Sequence, residues 1–139
     1  MSIYFQKEDR EIPDIEKDKI VEAINVLCKK DEKSAGDINF VYCSDEFILE
    51  MNKKYLEHDY FTDIITFNYN EGEIISGDIF MSKDRIEENA EKFGENTKKE
   101  FIRICGHGIL HLLGNEDGSE EEKGLMRQKE EEFIKMVLD

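Results

Sequence analysis

The stretch IITFNYNEGEIISGDIFMS, residues 64–82, sets the fold class. Its two ends, IITFNY at 64–69 and SGDIFMS at 76–82, are rich in β-branched and aromatic residues, as strands are. Between them NEGE reads as a turn, so the pair is expected to form a hairpin. Upstream, INFVYC at 38–43 is a further strand and SIYFQ at 2–6 alternates like a short one. The segments between and after them carry a helical period instead. Ile20, Ile24 and Leu27 recur at helical spacing within about 15–30. Ser44 fits as the N-cap of a helix to about Leu56 that carries Phe47, Ile48, Met51 and Tyr55.

Downstream of the hairpin, Ser82 caps a helix over about 83–93, ended by Gly94. Asn96 caps the next, over 97–113, with Gly114 placed just past its end. Ser119 and Glu122 form a capping box that opens a last helix with Leu125, Met126, Glu130, Phe133 and Met136. The order is β-α-β-α-β-β-α-α-α. This predicts an α+β fold, with a small mixed four-stranded sheet and about five helices. Residues 1–139 show no repeat, no linker and one proline, Pro13, so a single domain is expected.

Composition narrows the class. The chain has 19 Lys and Arg against 34 Asp and Glu, a net charge of −15. Nucleic-acid binders usually carry a basic footprint, and this chain taken whole does not. No apolar run approaches the eighteen or so residues that span a bilayer, and the first residues lack the pattern of a signal peptide. Cys28, Cys43 and Cys105 are odd in number and without CxxC spacing, which reads as reduced thiols in a cytoplasmic protein. Cys105 is expected to serve as a small buried hydrophobe.

The helix over 97–113 holds two of the three histidines. His107 and His111 are four apart and share one helical face. Gly114 then lets the chain turn back and bring Asp117 to the same point. His-x3-His-x5-Asp offers two nitrogens and one oxygen, with a fourth position left for water, as in catalytic zinc sites. The spacing also matches the metzincin pattern, but the residue after the first histidine is Gly108, where a metalloprotease has its general base Glu. Two histidines packed in the core, with no metal, is the competing reading of the same residues.

HGILHLLGNED (107–117) resembles the signature H-G-x-L-H-L-x-G-x-D-H of the YbeY family of bacterial rRNA maturation endoribonucleases. CSDEFILEMNKKYLEHDYFTDIITF (43–67) is similar to that family's helix, loop and strand segment. GDIFMS (77–82) and EEEKGLMRQKEEEFI (120–134) are similar to its GDI strand and its last helix. The likeness runs from about residue 38 to 134. It implies an α+β metal-dependent, single-strand-specific endoribonuclease in the bacterial cytoplasm. The implied action is on ribosomal RNA, in 16S 3′-end maturation and ribosome quality control.

It further implies one zinc ion (Zn2+) per chain, which His107, His111 and Asp117 would hold and through which they would act. Asp117 stands where the family has a third histidine, and Glu116 where it has Asp. Leu56 stands where it usually has an arginine, and His58 on the following loop is the expected substitute as a phosphate contact. Asp59, Thr62 and Asp63 match the family, while Phe61 replaces its proline. The expected partners are ribosomal RNA, on a ribosomal particle or with its proteins, not DNA and not a membrane. The candidate phosphate contacts are His58, Arg103 and lysines 53, 54, 98 and 99, most of which read equally as solvated faces of helices. Two rival readings are a ribosome-assembly factor with a structural metal and a metallohydrolase of another substrate. The missing Glu at 108 weighs against the latter.

Overall fold

The computed structural model describes residues 2–55 and 63–139. The expectations for Leu56, His58, Asp59, Phe61 and Thr62 lie outside the described residues. The elements are β1 (Ser2–Lys7), α1 (Lys17–Lys30), β2 (Ser34–Cys43), α2 (Asp45–Tyr55), β3 (Ile64–Asn68), β4 (Ile74–Ser82), α3 (Lys83–Lys92), α4 (Thr97–Leu112) and α5 (Glu120–Leu138). This is the α+β arrangement that the sequence predicts, with a four-stranded mixed sheet and five helices among the described residues. The strand order is β1-β2-β4-β3. β1 and β4 flank β2 in parallel, and β3 closes the edge antiparallel to β4 through the expected hairpin.

β2 begins at Ser34, four residues earlier than its sequence suggests. The register slips between Ala35 and Ile38. That irregularity breaks the alternation on which a strand is recognised. The caps fall where expected. Ser44 Oγ accepts from the Phe47 amide at 3.1 Å, Ser82 from Arg85 at 3.2 Å, and Asn96 Oδ1 from Lys99 at 2.7 Å. Ser119 and Glu122 complete their capping box.

The sheet separates two apolar layers. One face carries Ile38, Phe40, Tyr42, Ile79 and Met81 against α1, α4 and α5, and this is the main core. On the other face Cys43 and Ile65 pack with Ile48 of α2, beside Phe47, Phe67 and Phe80. α4 lies deepest. Eleven of its 16 residues are buried, which requires close approach on two sides. A Cβ on Gly106 would stand 2.7 Å from the Phe133 ring of α5, and one on Gly108 would stand 2.9 Å from Ile79 of β4. The two glycines let this helix press against both neighbours.

Candidate metal centre

α4 ends in a Schellman motif. The Gly114 amide donates to the His111 carbonyl at 3.0 Å and the Asn115 amide to the Leu110 carbonyl at 2.9 Å. Gly114 has φ +94°, a conformation that costs an L side chain and suits glycine. The chain reverses there, and Asp117 comes back to the exit of the helix. His107 Nε2 and His111 Nε2 lie 3.0 Å apart. Asp117 Oδ2 is 3.5 Å from the first and 3.7 Å from the second. The fold thus brings together the three residues that the sequence singles out.

The far nitrogens of both rings are already engaged. His111 Nδ1 is 3.1 Å from the Asn115 carbonyl oxygen, which can only accept, so Nδ1 carries the hydrogen. His107 Nδ1 is 2.6 Å from Glu130 Oε2, and the carboxylate fixes the same tautomer. In the neutral rings both Nε2 atoms therefore present lone pairs. Two lone pairs and a carboxylate oxygen converge on one point, an arrangement stabilised by a cation. The donor set, two imidazole nitrogens and one carboxylate oxygen, fits a divalent transition metal and leaves coordination open.

The electrostatics agree. Burial opposes a charge on His107, but the hydrogen bond and charge of Glu130, then Asp63 and Asp117, outweigh it and raise the pKa. For His111, burial and then the charge of His107 lower it. One positive charge is favoured here and a second is not. Asp63 precedes β3. Burial raises its pKa against the pull of His107, and Asn89 Nδ2 approaches its carboxylate at 3.5 Å.

Glu130 was legible only as one position on the face of the last helix. It is 6% exposed and shares the buried stripe of Met126, Phe133 and Val137. A carboxylate among apolar residues at helical spacing is the signal that marks it. Arg103, one of the candidate phosphate contacts, is neither that nor a solvated residue but is enclosed. Its guanidinium reaches Glu100 at 3.2 Å, Glu130 at 3.5 Å and Glu131 at 2.8 Å, and at 4% exposed it is not available to a substrate. Lys99 pairs with Glu95 at 3.1 Å. Lys54 lines a groove with Glu8, Asp9, Glu46 and Glu50, on the α2 side of the sheet and away from the histidines. Cys105 is fully buried and burial raises its thiol pKa, so it serves as the small buried hydrophobe that the sequence suggests.

A helix that presents two imidazoles, closed by a carboxylate after a glycine turn and backed by a small mixed sheet, defines an α+β protein with an open candidate metal point. The chain belongs to the YbeY endoribonuclease family, whose model, described as endoribonuclease YbeY, matches residues 2–137. It is accordingly a metal-dependent endoribonuclease. An endoribonuclease YbeY of Bacteroides thetaiotaomicron is 43% identical over 136 residues, covering 98% of this chain and 99% of the relative. One of Cytophaga hutchinsonii is 40% identical over 136 residues, with 97% and 95% covered. The solution structure of TM1509 from Thermotoga maritima is similar in fold, with a TM-score of 0.66 at 25% identity. It covers 98% of this chain and 89% of that one. Among the described residues no helix is long and apolar enough to cross a membrane.

Proposed function

We propose that residues 1–139 form one zinc-dependent ribonuclease domain that cuts single-stranded ribosomal RNA in the cytoplasm. Its role would lie in 16S 3′-end maturation and ribosome quality control, on a ribosomal particle. The observation that carries this reading is the convergence of His107 Nε2, His111 Nε2 and Asp117 Oδ2, with both Nδ1 hydrogens held elsewhere.

In this reading His107, His111 and Asp117 hold the ion. A bound zinc ion supplies Lewis acidity toward a phosphodiester and its attacking oxygen. Asn115 and Glu130 hold the two imidazoles in the ligating tautomer. Asp117 in place of a third histidine adds a negative charge, so the centre is less positive than one with three neutral ligands. Peptide hydrolysis is disfavoured because position 108 is glycine, and its α-carbon faces Ile79 and Ile64 rather than the open side.

Elemental analysis of untagged protein tests the site, beside His111→Ala and Asp117→Ala variants. The expected result is about one zinc per chain, lost in both variants, together with RNA cleavage that a chelator stops. Full metal occupancy in either variant overturns the ligand assignment. Zinc without cleavage, combined with lower thermal stability in the variants, would point to a ribosome-assembly factor with a structural metal.

A further inference from the structure

Two cations stand among the carboxylates beside the candidate metal centre. A cleft of about 530 Å3 opens from His107 and Asp117 along the start of α5, where Lys123 and Arg127 line it with Glu120 and Glu130. Lys123 and Arg127 are one helical turn apart and share a face, about 6 Å from each other at Cβ. Neither makes a close ion pair, although Arg127 also acts electrostatically on Glu131 and Glu100. Lys123 meets Glu120 only at 3.8 Å, with both side chains well exposed, a pairing worth little in water. Among the described residues Arg127 makes no ion pair within 4 Å; its guanidinium lies instead 5.7 Å from the centroid of the Phe93 ring. Phe93, at the end of α3, is 52% exposed and also carries Lys92 Nζ at 5.7 Å from its centroid.

We propose that Lys123, Arg127 and Phe93 form a track for single-stranded RNA leading away from the metal centre. Lys123 and Arg127 bind successive phosphates, and Phe93 stacks one base in place of the Lys92 ammonium. Cations that follow a backbone next to an exposed aromatic are the two components of sequence-tolerant single-strand binding. The arrangement also accounts for how a chain of net charge −15 engages a polyanion: the cations are local and sit where the substrate must lie. This inference rests on the reading of the substrate as RNA.

The test is the affinity of the zinc-loaded protein, residues 1–139, for a labelled, unstructured oligouridylate of about ten nucleotides, a length within the usual single-strand site size. Binding is followed by fluorescence anisotropy from low to physiological salt. Lys123→Gln combined with Arg127→Gln is expected to weaken binding at low salt and to flatten the salt dependence. The slope of log Kd against log salt should fall by about 1.4, or about 0.7 for each phosphate no longer neutralised. Phe93→Ala is expected to weaken binding about tenfold with the slope unchanged. Zinc content and thermal midpoint should stay at wild-type values in both variants, since none of these side chains is buried or ligating.

Wild-type affinity and slope in the double variant would overturn the track, as would a wild-type protein that does not bind the oligonucleotide. A wild-type protein that takes up no zinc on loading, yet shows a slope dependent on Lys123 and Arg127, would sink the metal assignment and leave the track standing.

Discussion

Glu130 on α5 accepts the Nδ1 hydrogen of His107 on α4 across 2.6 Å, and this contact joins the two helices at the candidate metal centre. Behind it Arg103 ties Glu130 to Glu100 and Glu131. The carboxylate is thereby held on both sides in a region with little access to water.

The first prediction concerns that contact. Glu130→Gln keeps the shape and removes the charge that supports the imidazole. Its zinc affinity, measured by chelator competition, should fall about 10- to 100-fold. Glu131→Gln alters the outer end of the same network without touching His107, and should bind zinc like wild type. Equal affinity in wild type and Glu130→Gln would mean that the contact does not support the metal.

The second prediction concerns how closely α4 and α5 approach. Gly106 faces the Phe133 ring, and an added Cβ would lie 2.7 Å from Cδ2 and 3.3 Å from Phe133 Cβ. Phe133 is fully buried and cannot swing into solvent. Gly106→Ala gains about 1 kcal/mol of helix propensity but incurs an overpacking cost of about 1–3 kcal/mol. The expected outcome is a lower thermal midpoint. It should come with weaker zinc binding, because any displacement of α5 also lengthens the contact from Glu130 to His107. A midpoint at or above wild type would show that the helices have slack.

A third prediction concerns acid stability at the C-terminal ends of β1 and β2. Asp9, after β1, accepts from the Ser44 amide and from the Ser44 hydroxyl, each at 2.7 Å. Ser44 in turn caps α2. Burial works against the charge on Asp9, but these bonds and Arg10 hold its pKa below the ordinary value. A lowered folded-state pKa gives stability that is fully present above the unfolded value, about 3.9, and is lost as pH falls through the folded one. In urea titrations Asp9→Ala should therefore be weaker than wild type at pH 7, and the difference should shrink below about pH 4. Ser44→Ala should cost about 1 kcal/mol through removal of the cap. A difference that stays constant from neutral pH into strong acid would remove Asp9 from the acid response.

The element order, the helix caps at Ser44, Ser82, Asn96 and Ser119, and the grouping of His107, His111 and Asp117 are all legible in the chain before it folds. These are local properties. A cap bonds within one turn, an i, i+4 pair shares a face by helix geometry, and a glycine at φ +94° reverses the chain just beyond the second histidine. The early start of β2 escapes such a reading because its register slip removes the alternation.

Contacts between distant elements settle the rest. Glu130 reaches His107 from 23 positions away. Arg103 turns inward because three glutamates, two of them on α5, surround it. Gly108 is small because β4 lies against it. Spacing along the chain reports which residues share a helix face. It does not report which faces meet, because that is set by how the sheet and its helices pack to bury their apolar sides.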